Sequence, residues 1–334
     1  MADSTERHVN TIAARLSLRA PQRRSLEILD RICMLVPPRK GVDLPAALAT
    51  IRTEFPTVKD FERDFPSFCF ALATGVGKTR LMGAFVAYLR LAHSLCNFFV
   101  LAPSLTVYRK LIADFTPNTP KYVLKGISEF AVSPPLITTG DNYERQIASG
   151  GSLFSTTINI FNIAKFNTEI RGGHAPRIRS FREEIGSSYF DYLAGLDDLV
   201  LVMDESHRYR ATAGARVINE LKPVLGLELT ATPFVEARPE PLWFRNVIYD
   251  YSLARAMEDG FVKEPAVVTR ENFMAAGKSD AAVERIKLED GIRLHEAIKV
   301  ELETYALQSG EPVVSPSCWS SPGILRMPRR SSRS

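Results

Sequence analysis

From about residue 66 onward, unbroken apolar runs of strand length alternate with helix-like stretches: FCFAL, TRLMGAFVAYLRL, NFFVLAP, LTVYRKLIADF, and later TINIFNI, DDLVLVMDE, ARVINELKPV and GLELTATP. A strand that is apolar on both sides of its pleat has to be covered on both faces. The helix between two such strands is the crossover that covers it. Few folds satisfy that pattern, and all of them are α/β domains with a parallel sheet flanked by helices. The chain of 334 residues has room for one large or two ordinary domains, since single cores stop growing near ~250 to 300 residues. No run approaches the ~20 apolar residues of a membrane span, and MADSTERHVN lacks the apolar centre of a secretory signal. A cytoplasmic chain with no membrane partner is expected.

The turn between FCFAL and the first of these helices reads ATGVGKTR, residues 73 to 80. Between a buried strand and a helix, glycines let backbone N–H groups converge on phosphate oxygens, and the helix N-terminus adds partial positive charge. The consensus GxxxxGK[ST] would place a glycine at 72, where this chain has Leu72. The rest is in place, with Thr74, Gly75, Val76, Gly77, Lys78, Thr79 and Arg80 as nucleotide-binding candidates. Lys78 can reach the terminal phosphates and Thr79 can ligate Mg²⁺, so ATP and Mg²⁺ are the expected ligands. A second strand, LVLVM, ends in Asp204, Glu205, Ser206 and His207. Carboxylates at the carboxyl ends of parallel strands face the ligand crevice. There Asp204 would hold Mg²⁺, and Glu205 would orient and deprotonate an attacking water. Lys78, Asp204 and Glu205 form the expected catalytic group.

Charge says less. The four arginines of residues 315–334 equal the whole net charge of +4, so the rest of the chain is balanced. Nucleic-acid binding has to rest on local patches. The best one is RGGHAPRIRSFR, residues 171 to 182, where Arg171, Arg177, Arg179 and Arg182 sit in a Gly/Pro-containing loop suited to neutralising phosphates. The cysteines Cys33, Cys69, Cys96 and Cys318 are scattered without a CxxC pair, which argues against zinc and against a disulfide framework.

ATGVGKT, DESH and LTATP, in that order, resemble the ATP-binding loop, DExH box and third motif of superfamily 2 helicases. That resemblance implies a RecA-like P-loop NTPase lobe. It assigns His207, Thr230 and Thr232 to coupling between nucleotide and nucleic-acid sites, Gln22 in LRAPQRR to adenine reading, and Ser104 to a phosphate of DNA. The stretches INIFNIAKFN, SYFDYLAGLDDLVLVMDESHRYRA, INELKPVLGLELTATPF and DGFVKEPAVVTRENF narrow it further. From about residue 15 to about 314 the chain resembles the restriction (Res) subunit of type III restriction endonucleases. Double-stranded DNA and a DNA methyltransferase subunit are the partners that this implies, and ATP-driven translocation the activity.

The expected organisation is a helical segment over 1–60 carrying Gln22, an ATP-binding domain over 61–245, a helical linker over 246–314, and a disordered tail over 315–334. Pro21 suits the first turn of a helix, YSLARAMEDG reads as a short helix closed by Gly260, and IRLHEAIKVELETYALQSG places Leu294, Ile298, Leu302 and Tyr305 on one face. A strand is expected to begin at EPVV. Instead period and resemblance both stop at Ser315, which suggests a shifted reading frame or a broken gene. Motors of this kind close their cleft with arginines from a second lobe, worth ~10³ to 10⁵ in rate, and no such segment follows. The alternative to a working motor is therefore a non-catalytic lobe that binds ATP and DNA. A small-molecule phosphotransferase fits less well, because no acceptor-binding lid is evident.

Overall fold

The computed structural model describes residues 2–140, 142, 155–162, 187–210, 212–237, 239–263, 273 and 279–313. The arginine loop with Arg171, Arg177, Arg179 and Arg182 lies outside them, as do the tail after residue 313 and Cys318.

Three helices come first: α1 (Ala2–Arg15), α2 (Ala20–Leu35) and α3 (Leu44–Glu54). The sheet region follows with β1 (Ser67–Leu72), α4 (Lys78–His93), β2 (Asn97–Ala102), α5 (Leu105–Phe115), α6 (Ser128–Val132), β3 (Leu136–Thr138) and β4 (Thr157–Asn162). It continues with α7 (Ser187–Gly195), β5 (Leu199–Asp204), a 3₁₀ turn (Ser206–Tyr209), α8 (Thr212–Glu220) and β6 (Leu225–Thr230). A short antiparallel pair, β7 (Phe234–Val235) and β8 (Leu242–Trp243), precedes β9 (Val247–Tyr251) and α9 (Leu253–Glu258).

Seven strands form one sheet in the order β3-β4-β2-β5-β6-β1-β9, with every neighbouring pair parallel. This is the α/β architecture that the alternating runs predict, and it fits the RecA-like lobe that the motif resemblance implies. Alternate residues of the central strands feed two separate cores. Phe98, Val100, Val200 and Val202 join the cluster under α1, α2, α4 and α5, whereas Phe99, Leu101, Leu201 and Met203 join the one under α7 and α8. Each strand is thus apolar on both sides because each side meets helices. Full burial of such a side chain is worth ~1.5 to 3 kcal/mol.

The N-terminal helices belong to this body. Ile12, Leu26, Leu29 and Ile32 are completely buried in the same cluster as Phe85 and Leu89 of α4. Pro21 lies in the first turn of α2, where its missing N–H costs nothing.

One expected boundary does not hold. A helical linker over 246–314 is contradicted at its start by β9, which pairs with β1 and extends the sheet. Ile248 and Tyr251 are buried in the core, so the compact unit runs to Glu264. Four of the five residues of β9, Val247, Ile248, Tyr249 and Tyr251, are β-branched or aromatic, which suits a half-covered edge, but Asp250 among them hides it among loop sequences. The short helix before Gly260 is α9, closed by that glycine at φ +72°.

The second compact unit, 265–334, is described over α10 (Asp280–Ser309), a helix of 30 residues capped by Ser279 and ended by Gly310 at φ +73°. Leu294, Ile298 and Tyr305 on it are exposed. Residues 311–313 form no strand, unlike the expectation for EPVV.

Candidate nucleotide-binding site

Strand order decides what can meet. β5 and β1 flank β6, so the acids after β5 and the loop after β1 are two strand spacings apart, roughly 10 Å, with Thr230 at the end of the strand between them. A lysine side chain spans most of that gap. Lys78 Nζ lies 3.2 Å from Glu205 Oε1 and donates to the Leu72 carbonyl at 3.4 Å.

Leu72 is fully buried as the last residue of β1, and the turn begins after it. Gly75 and Gly77 have φ of +84° and +98°, a region costly for any residue with a Cβ. A methyl group on Gly77 would also lie 2.6 Å from Gln22 Nε2. Val76 is buried while Thr74 is exposed. Gly77 caps α4 without a side-chain hydrogen bond, so the amide end of a 16-residue helix is open to an anion. Lys78 and Thr79 are its first two residues.

Asp204 is 8% exposed, and its Oδ1 is buried without a hydrogen-bond partner. Burial and the neighbouring Glu205 carboxylate push its pKa up to about 6, although Lys78 pulls it back down. A buried carboxylate oxygen with no donor is unfavourable unless something else meets it. A cation fits that requirement. Among the described residues no group of three or more His, Cys, Asp and Glu side chains could hold a metal ion, so a metal here would complete its shell from water and phosphate. Mg²⁺ is usually bound in that way.

Glu205 occupies the left-handed region at φ +50° and turns the chain sharply out of β5. Its Oε2 is 3.6 Å from His207 Nδ1. The same nitrogen is 3.1 Å from Thr230 Oγ1 and 3.4 Å from Thr232 Oγ1. Thr230 donates its hydroxyl hydrogen to the Thr232 carbonyl and accepts from the Thr232 N–H, both at 3.1 Å. With that hydrogen spent, His207 Nδ1 has to be the donor in its contact with Thr230. Burial lowers the His207 pKa despite Glu205, which favours the neutral ring carrying one hydrogen. Glu205, the histidine and both threonines therefore form one connected group, with Asp204 the residue before Glu205.

Gln22 is 2% exposed, although a glutamine on a helix is ordinarily at the surface. Its Oε1 accepts from the Arg19 backbone N–H at 2.8 Å, and its Nε2 donates to the Gly77 carbonyl at 2.8 Å. The start of α2 is thereby fastened to the turn. Arg80 donates to the Leu16 carbonyl at 3.0 Å, which makes it a brace between α4 and the turn after α1. Ser104 caps α5, accepting from the Val107 N–H at 3.3 Å, and keeps its own hydrogen for another acceptor.

Three side chains near this group were not anticipated. Arg19 donates to the Gly75 carbonyl at 2.9 Å and lies 5.0 Å over the Phe261 ring. Arg210, just past the 3₁₀ turn, reaches Glu228 at 2.6 Å and Asn246 at 3.0 Å, and also bonds Glu62. Glu228 itself was the available signal, being an acid in the middle of the apolar run GLELT. Arg19 stands three residues before Gln22, but nothing local marks Phe261.

No curated protein matches the chain. Among solved structures, the Sulfolobus solfataricus SWI2/SNF2 ATPase core in complex with dsDNA is 18% identical at a TM-score of 0.31, covering 60% of this chain and 34% of that one. A nuclease-deletion mutant of the Type ISP restriction-modification enzyme LlaGI, in complex with a DNA substrate mimic, is 13% identical at a TM-score of 0.37, covering 74% of this chain and 22% of that one. The chain spans about a third and about a fifth of the lengths of these two. A family model described as the res subunit of type III restriction enzymes matches residues 19–235, from Arg19 beside the turn through Lys78, the DESH acids and both threonines to the end of β7. That stretch is well over half of the chain, and the protein belongs to the type III restriction enzyme res subunit family.

Proposed function

We propose that this chain carries the nucleotide-binding lobe of a DNA-dependent ATPase, the motor of a type III restriction-modification system, and that it hydrolyses Mg·ATP to move along double-stranded DNA. The observation that carries the reading is the Lys78–Glu205 ion pair at 3.2 Å beside the buried, partnerless Asp204 Oδ1. A lysine from the phosphate-loop position and two acids from the next strand but one share one small volume.

In this reading the turn from Thr74 to Thr79 cradles the triphosphate with backbone N–H groups, and Lys78 leaves Glu205 for the terminal phosphates. Glu205, freed of its cation, is the base that orients and deprotonates the attacking water. Thr79 and Asp204 would hold Mg²⁺, which supplies neutralisation of phosphate charge. His207 lies between Glu205 and the two threonines, so a change at the acids is passed to Thr230 and Thr232, the coupling pair. Gln22 positions the turn and is assigned to the adenine base. Ser104 and the arginines at 171, 177 and 179 are assigned to DNA phosphates, and a DNA methyltransferase subunit is the assigned partner. No described helix is long and apolar enough to cross a membrane.

The test is phosphate release by the purified chain with and without double-stranded DNA, beside a Lys78→Ala control. DNA-stimulated release that the control lacks is expected. Equal release from both proteins removes the ATPase reading.

A further inference from the structure

Resting on the nucleotide-site reading above, we propose that Phe261 is a positioning residue for the nucleobase: it holds the Arg19 guanidinium as a flat cationic face on which the base of the bound nucleotide stacks. Phe261 lies past the last residue of the family match, in the segment that follows α9.

Four observations converge there. The Phe261 ring lies 5.0 Å below the Arg19 guanidinium carbon. That guanidinium is fixed a second time by its bond to the Gly75 carbonyl, inside the phosphate loop. The segment carrying the ring is anchored, because the N–H groups of Phe261 and Val262 both donate to the Ala256 carbonyl, at 2.9 and 3.1 Å. Finally, a methyl group on Gly75 would meet Val262 Cγ2 at 3.2 Å, so this segment lies directly against the turn.

An exposed arginine normally loses much side-chain entropy when it is immobilised on a ligand. Here the guanidinium carbon lies over a ring and one nitrogen is held by a carbonyl, while Arg19 as a residue remains exposed. Part of its ordering is therefore in place before a ligand arrives, which is the condition under which stacking adds affinity. Arg19 also stands one helical turn before Gln22, whose amide bonds the Gly77 carbonyl. The stacking surface and the phosphate cradle are therefore built on the same few residues. The ligand chemistry that fits is a triphosphate bearing a planar base, as opposed to a bare polyphosphate.

The experiment measures binding of Mg·ATP and of Mg·tripolyphosphate to the full chain by titration calorimetry, for wild type, Phe261→Leu, Phe261→Tyr and Lys78→Ala. Phe261→Leu keeps apolar bulk but has no ring, and is expected to weaken ATP about tenfold, the weight of a partly desolvated cation–π contact, with tripolyphosphate within about twofold. Phe261→Tyr is expected to keep wild-type affinity for both ligands. Unchanged ATP affinity in Phe261→Leu overturns the proposal. So does an equal loss of both ligands, because that outcome assigns Phe261 to support of Gly75 alone. Lys78→Ala is expected to weaken both ligands, and unchanged binding of both by that variant sinks the nucleotide site itself, whatever Phe261 does.

Discussion

Replacing Arg210 by Met should cost the fold about 3 kcal/mol at pH 7, and the surroundings of Glu228 show why. Glu228 is fully buried on β6 and accepts from Ser67 Oγ at 2.9 Å and Asn246 Nδ2 at 3.1 Å, as well as from Arg210. Arg63, whose side chain is also fully buried, has its Nε 3.5 Å from Glu228, near enough for charge attraction but too long for a good hydrogen bond. Burial alone would raise the Glu228 pKa, yet Arg210, Arg63 and the two hydrogen-bond donors together hold it below the ordinary value. Removing one member of a buried pair typically costs ~3 to 5 kcal/mol, because the remaining charge is stranded. The bonds from Ser67 and Asn246 and the attraction of Arg63 survive in the variant, which places it at the lower end. Arg210 lies 3.7 Å over the Phe244 ring, and a methionine there retains part of that packing. Its bond to Glu62 is partly exposed and adds little. Equilibrium urea unfolding by circular dichroism measures the loss as a lower midpoint at unchanged slope. Wild-type Glu228, with its depressed pKa, contributes stability above the unfolded value of 4.5 and loses it only as pH falls through the still lower folded value. In the variant the stranded carboxyl takes up a proton more readily, so the deficit should shrink between pH 7 and pH 5. A deficit below about 1 kcal/mol, or one that does not change with pH, would refute the picture of a charge held in place by Arg210.

Two further outcomes follow from the site. Burial raises Asp204 from 3.8 to about 6, so its charge weakens the unliganded fold increasingly as pH rises through that range, by on the order of 3 kcal/mol once fully ionised. Asp204→Asn should accordingly raise the urea midpoint at pH 8 and by roughly half as much at pH 5; equal gains at both values, or none, would contradict the raised pKa. Gly77→Ala should destabilise by more than the ~1 to 2 kcal/mol of left-handed strain, because the new methyl also meets Gln22 Nε2. Adding Gln22→Ala should recover the clash but not the strain, and a strictly additive pair measured in the same melts would count against that contact.

What the sequence made legible is what repeats along the chain. FCFAL, NFFVLA, LVLVMD and LGLELT announce themselves as β1, β2, β5 and β6 because both faces of each strand are buried, and burial on both faces leaves an unbroken apolar run. The turn at 73–79 is legible for a related reason, since a sharp turn between buried strand and helix restricts which residues fit. β9 has one partner and mixed burial, so VIYDY carries a weaker version of the same signal and passes for linker. β3 is three residues long, too short for any period to show. Contacts between distant segments follow no period at all. Glu228 shows in the sequence only as an acid where a strand should be apolar. A fully buried carboxylate there requires cations from elsewhere in the chain, and the pattern cannot say that they are Arg63 and Arg210. The same limit applies at the turn, where the glycines are read from local order but the contacts that hold it, from Arg19 and Gln22 before it and Val262 long after it, are found only by folding the chain. Strand and turn chemistry therefore locate such a site, while the residues that set its rigidity have to be sought wherever a buried charge or a crowded glycine demands a partner.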